Sequence, residues 1–205
     1  LDINSKMSKS IINDTSLSLD FHNKLDIYKF NYNYTILNHG ATIIDKNNKV
    51  LFNICISNEI VSQIQNDLNL SECMNCFCCS GINSRVTFEH KDLTKIHVKY
   101  SSKNYALDKA NFINNKYGNY VKAYYVNTNS IEIISNKTNK AKAIYWLIKF
   151  CNNINKDDTY VIGDSYSDIE MVQEFNGYCM ENSVSELKSI AIKEYNSVSS
   201  LIKDI

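Results

Sequence analysis

Two nearby carboxylates, Asp164 and Asp168, follow a short apolar run in Tyr160-Val161-Ile162-Gly163-Asp164-Ser165-Tyr166-Ser167-Asp168. A strand ending in a residue as small as Gly163 can turn sharply, which puts Asp164 at the carboxyl end of a sheet and Asp168 in the first turn of the next helix. In open α/β sheets that edge is where ligands bind. Paired carboxylates there are hard oxygen donors suited to Mg²⁺, a cation that takes a few carboxylates, several waters and a substrate phosphate. The same spacing, Ser165-x-x-Asp168, also fits a capping box, in which Asp168 only satisfies backbone N–H groups at a helix start. Spacing alone does not separate the two readings.

Other residue groups invite chemistry with less support. Lys140 opens a helical pattern and, taken by itself, reads as a solvated lysine. Cys73-x-x-Cys76-x-Cys78-Cys79 offers thiolates in close succession, as a zinc site or interaction module would, but the second Cys-x-x-Cys half is missing. An alternating strand over 75–80 points Cys76 and Cys78 to one face and Cys79 to the other, so the competing reading is a set of buried thiols. His39, in Asn38-His39-Gly40-Ala41, is either a substrate contact or a hydrogen-bonded loop histidine. His97 sits on an alternating strand and reads as structural, and Tyr124 and Tyr125 read as packing rather than as a base-stacking platform.

The elements that must position these residues change character along the chain. The last third alternates a helical pattern over about 140–150, an apolar run at 159–162, a helix from Asp168, a short strand at 178–180 and a helix from Val184. That order predicts a parallel sheet. Earlier, 34–37 reads as a buried strand, and 41–44 and 50–54 as a hairpin about the turn 46–49. Between these regions, 59–68 and 107–117 look helical, while 85–88, 95–98, 121–126 and 131–134 alternate like half-buried strands. The expected organisation is an α/β domain built from 1–53 and 136–205, with an α+β domain inserted at 54–135.

The bulk numbers set limits. The chain has 205 residues, 44% of them hydrophobic, enough for packed cores. Lys plus Arg equals Asp plus Glu at 22 each, so no overall field draws nucleic acid or an anionic membrane, and any anion must be caught locally. No apolar run approaches membrane-spanning length, and Leu1-Asp2-Ile3-Asn4-Ser5-Lys6 lacks the basic start and apolar middle of a signal peptide. The expected location is cytoplasmic. Seven cysteines, an odd number, predict reduced thiols. Because Leu1 is not Met, a trimmed or incomplete amino terminus is expected.

In combination, the motifs resemble a known family. Gly163-Asp164-Ser165-Tyr166-Ser167-Asp168 resembles the Gly-Asp-x-x-Asn-Asp motif of the haloacid dehalogenase (HAD) superfamily, in particular its Cof-like sugar-phosphate phosphatases with a C2-type α/β cap; Ser167 replaces the usual Asn. Asn139-Lys140-Ala141-Lys142-Ala143 looks like that family's Ser-Lys-Gly-x-Ala segment, and Met180-Glu181-Asn182-Ser183 is similar to its Met-x-Asn-Ala turn. Residues 34–50 look like its strand, Asn-Gly-Ala turn and hairpin, so the resemblance runs from about residue 30 onward. It implies a Rossmann-like core with a parallel sheet, and an inserted cap that closes over the phosphate site and selects the rest of a small phosphorylated metabolite. It also implies Mg²⁺ held by Asp164 and Asp168, Lys140 neutralising phosphate and nucleophile, and substrate contacts from His39, Gly40, Lys140 and Asn182.

At the amino terminus the likeness is incomplete. The family begins with strand-Asp-x-Asp-Gly-Thr, where the first Asp attacks phosphorus and the second protonates the leaving oxygen. Leu1-Asp2-Ile3-Asn4-Ser5 offers Asp2 as nucleophile and metal ligand, or as a terminal surface residue. Asn4 stands where the acid belongs, and an amide cannot donate that proton. Thr15, in Ile11-Ile12-Asn13-Asp14-Thr15, corresponds to the residue that holds the phosphoryl oxygen, or else is a turn residue. The usual Gly-Arg after it is absent. Two functions therefore stay open: a Mg²⁺-dependent phosphomonoester hydrolase, and a relative that binds a phosphometabolite or a partner without turnover.

Overall fold

A computed structural model of the chain describes residues 10–13, 32–126, 129–152 and 154–205. Asp2 and Thr15 lie outside these described residues. The chain divides into two compact units, residues 1–138 and 139–205.

Within the first unit, β1 (Ser10–Asn13) runs parallel to β2 (Tyr32–Leu37), which continues antiparallel through β3 (Thr42–Asp45) to β4 (Val50–Asn53). The expected hairpin closes where Asp45 Oδ1 accepts from the backbone N–H of Asn47 at 2.8 Å and of Lys49 at 2.9 Å, and Asn48 takes the left-handed φ of 64° that the turn needs.

A five-stranded antiparallel sheet follows in the order β6-β5-β7-β9-β8. Its strands are β5 (Asn75–Ser80), β6 (Asn83–Val86), β7 (Lys95–Lys99), β8 (Val121–Val126) and β9 (Ser130–Ser135). Helices α1 (Asn58–Asp67) and α2 (Lys103–Tyr117) supply Ile60, Val61, Ile64, Ala106, Ala110 and Ile113 to one core with Ile96, Val98, Ile131 and Ile133 of the sheet. Helix α2 starts four residues before the expected 107–117 because the Ser102 hydroxyl accepts from the Tyr105 N–H and caps it. Side chains alternate along a strand. With Ile96, Val98, Ile131 and Ile133 turned to the helices, Lys95, His97 and Glu132 fall on the other face, where His97 pairs with Glu132 and Glu132 with Tyr124.

The second unit begins with α3 (Lys140–Cys151), which buries Lys140, Ala141, Ala143, Ile144 and Leu147, one face at helical spacing. Then come β10 (Ile162–Gly163), a single 3₁₀ turn at Tyr166–Asp168, α4 (Ile169–Glu174), β11 (Tyr178–Met180), α5 (Ser185–Lys188), β12 (Glu194–Tyr195) and α6 (Val198–Asp204). Strands β10, β11 and β12 are parallel, in that order, as the alternation of helix and strand requires. The expected strand at 159–162 pairs only from Ile162, because the Thr159 N–H closes a turn back to the Lys156 carbonyl at 3.0 Å and Tyr160 is exposed. Among the described residues, no helix is long and apolar enough to cross a membrane.

Candidate active site

The second unit brings Lys140, Asp164 and Asp168 together. Asn139 caps α3 by accepting the Lys142 N–H at 2.7 Å, and Lys140, the first helical residue, is buried. A cation at a helix amino terminus opposes the dipole, and a buried one needs a partner. That partner is Asp168: Lys140 Nζ donates to Asp168 Oδ1, with both residues under 5% exposed.

The other oxygen, Asp168 Oδ2, accepts from the Asp164 N–H at 3.1 Å, the Ser165 N–H at 3.0 Å and the Ser165 hydroxyl at 2.8 Å. The capping box allowed by the spacing thus forms, and the same carboxylate also meets the lysine. Burial by itself pushes the Asp168 carboxyl up; the Lys140 charge and hydrogen bond, joined by the bonds from Ser165, outweigh it and hold the group below its ordinary value.

Gly163 is small for a reason beyond the turn. A Cβ there would lie 2.3 Å from Asp168 Cβ, so the absence of a side chain is what lets Asp168 fold back against the strand end. The loop is also tied from the side of β11: the Ser183 hydroxyl donates to the Gly163 carbonyl at 3.1 Å, and the Val184 N–H to the Asp164 carbonyl at 3.1 Å. Ser167, in the place of the family's Asn, is buried with its hydroxyl 2.9 Å from that of Ser165. Asn182, on the neighbouring turn, is exposed.

Asp164 presents the opposite picture to Asp168. The residue as a whole is exposed, yet protein around the carboxyl withdraws it in part from water; this, with the adjacent Asp168 charge, raises its pKa. A cation beside Asp164 would offset that repulsion, so its oxygens suit Mg²⁺. Asp168 would join the coordination only by releasing Lys140. No cluster of three or more His, Cys, Asp or Glu is arranged for a metal among the described residues, and a full shell would draw on further donors, water and substrate.

In the first unit, His39 and Gly40 lie in the turn between β2 and β3. His39 is buried, with Nε2 engaged by Glu132 Oε2 and its ring stacked at 5.3 Å on Tyr124. The Gly40 carbonyl accepts from the Thr138 hydroxyl at 2.7 Å. Glu132 and Lys95 were not singled out by motif. The signal for Glu132 was its place as the lone charge in Ser130-Ile131-Glu132-Ile133-Ile134-Ser135, a strand buried along its whole length. Of the clustered cysteines, Cys78 is buried in the core shared with the helices and Cys76 packs against it, while Cys79 pairs with Lys95 and is buried on the opposite face, so the expected alternation holds along β5; the register shift in its pairing with β6 leaves Arg85 of β6 as the extra residue. Burial, and then the neighbouring Cys73, push the Cys76 thiol up to about 12, and burial drives Cys78 upward too, which disfavours the thiolates a metal would need.

The profile of the haloacid dehalogenase-like hydrolases matches residues 79–200, more than half of the chain. The chain belongs to that family. Solved structures share its fold at low identity. A haloacid dehalogenase-like hydrolase from B. subtilis superposes with a TM-score of 0.80 at 16% identity, covering 98% of this chain and 89% of its own. A HAD/COF-like hydrolase from Plasmodium vivax gives 0.76 at 16%, covering 88% and 75%. A third, from Bacteroides thetaiotaomicron and described among the phosphatases of the HAD enzyme superfamily, gives 0.76 at 15%, covering 98% and 82%. No curated protein matches the sequence significantly. In this HAD-like chain the matched region contains Lys140, Asp164 and Asp168.

Proposed function

We propose that this HAD-like protein is a Mg²⁺-dependent phosphomonoester hydrolase acting on a small phosphorylated metabolite such as a sugar phosphate. The observation that carries the reading is the buried Lys140–Asp168 pair beside the exposed Asp164 at the end of β10: a fixed cation and a carboxylate of raised pKa at the sheet edge where phosphate esters bind. In the proposed reaction Asp2 attacks phosphorus as the bond to the ester oxygen breaks, the leaving oxygen takes its proton from water, and a second water cleaves the resulting aspartyl-phosphate to inorganic phosphate. Lys140 and Thr15 hold phosphoryl oxygens, while Asp168 holds Lys140 in place. Asp2, Asp164 and Asp168 would hold Mg²⁺, which supplies neutralisation of the charge that develops on the phosphoryl group. Work of this kind is mostly positioning and electrostatics, so few side chains suffice. Residues 54–135 act as the cap that selects the substrate, His39, Gly40 and Asn182 serve as substrate contacts, and the protein works in the cytoplasm.

Asn4 favours a second reading, a protein that binds a phosphometabolite without turnover, since its amide cannot protonate a leaving oxygen. Incubating the full chain with a panel of sugar phosphates, with Mg²⁺ or with excess EDTA, separates the two. Release of inorganic phosphate that EDTA abolishes is the expected result. Saturable binding of the same esters with no release would establish the second reading and overturn the first.

A further inference from the structure

Asn38, His39 and Gly40 are consecutive residues with left-handed backbone, at φ of 53°, 55° and 95°. Only glycine adopts that region freely, and two non-glycine residues in a row persist only where their surroundings hold them. What holds them comes largely from the five-stranded sheet. Asn38 Nδ2 donates to the Gly81 carbonyl at 2.8 Å and to the Thr94 hydroxyl at 3.1 Å. His39 Nε2 donates to Glu132 Oε2, while Glu132 Oε1 accepts from Lys95 Nζ at 2.9 Å and His97 Nδ1 at 3.0 Å. His39, Lys95 and Glu132 are all buried.

One carboxylate of β9 therefore fixes three donors from two other elements, the β2–β3 turn and β7. Tyr124 of β8 stacks on His39, with Lys122 5.1 Å from the Tyr124 ring, and Phe77 of β5 stacks on His97 at 4.6 Å beneath Arg85. Burial would push the Glu132 carboxyl up, but Lys95 and the two histidine hydrogen bonds keep it ionised far into the acidic range.

We propose that the Asn38–His39–Gly40 turn is a latch fastening the four-stranded sheet to the five-stranded sheet, with Glu132 as the positioning residue that holds it shut. Lys95 and His97 anchor Glu132, and the strained turn is the element that relaxes when the contact to His39 breaks. This goes beyond the phosphatase reading and stands without it, because the geometry is internal to the first unit and its test needs no substrate.

Amide exchange read by NMR on the full chain tests the latch, using the Ala41 N–H, which bonds to the Asn38 carbonyl at 3.1 Å inside the turn. Exchange at Ala41 is expected to rise by about tenfold or more in both Glu132→Gln and His39→Asn, with the double variant no faster than the faster single one, while Ala110 in α2 is unchanged. His39→Asn keeps the test available if Glu132→Gln fails to fold, since it leaves Glu132 with Lys95 and His97 and asparagine tolerates the left-handed backbone. In ¹⁵N-histidine spectra Nε2 of His39 should carry a bonded proton. Ala41 exchange unchanged in His39→Asn, a rise shared equally by Ala110, multiplying effects in the double variant, or an unprotonated Nε2 would each overturn the proposal.

Discussion

Lys140 sits where a helix dipole repels it and where water cannot solvate it, so its position depends on Asp168 answering its charge. The dependence is mutual, because burial alone would raise the Asp168 pKa and the lysine lowers it. A group whose native pKa is depressed adds stability that is present above its unfolded value, here 3.8, and is lost as pH falls through the lower native value. The urea midpoint of the wild-type chain should therefore fall on acidification below about pH 4. Asp168→Asn should lose about 3–5 kcal/mol at pH 7, the usual cost of stranding one member of a buried pair. It should also lose that part of the acid dependence; identical acid profiles for the two chains would refute this role for Asp168. The sequence showed the acidic pair and, through motif order, the lysine. It did not show that one carboxylate would serve as both cap and counter-ion, because spacing records neighbours along a helix and not what a distant side chain adds. Nor could motif order reveal Glu132, whose partners His39, Lys95 and His97 lie far from it in sequence and meet it only across strands.

Among elements, periodicity carried most of the information. Period-two alternation located β7, β8 and β9, and helical spacing located α1 and α3, because burial on one face imposes those repeats. Boundaries were less legible, since caps and turns set them: Ser102 draws α2 back to Lys103, and the turn at Thr159 delays β10 to Ile162. The tightest constraint at this scale is the strand-to-helix corner. An alanine at position 163 must displace Asp168, whose Cβ and Cγ would lie 2.3 and 2.7 Å from the new methyl. Gly163→Ala is expected to cost about 1–3 kcal/mol, as overpacking does, and to loosen the Lys140–Asp168 contact. Urea unfolding reads the first effect; a variant as stable as the wild type would show that the corner has slack that the geometry does not.

At the scale of the whole molecule, the alternation of strand and helix in the last third foretold the parallel strands β10, β11 and β12, and the motif order foretold the family. The amino-terminal candidates Asp2 and Thr15 were legible only by likeness and lie outside the described residues, so the account leans on Lys140, Asp164 and Asp168. Its central claim is that Asp164 serves the chemistry rather than the fold: it is exposed at the strand end, whereas Asp168 is buried and carries the structural bonds. The most direct test is the rate of Mg²⁺-dependent phosphate release by Asp164→Asn beside the wild-type chain, with circular dichroism of both. The account predicts a loss of about a thousandfold or more, equivalent to roughly 4 kcal/mol of transition-state stabilisation, with the fold unchanged. Release at the wild-type rate from a folded Asp164→Asn chain would contradict it.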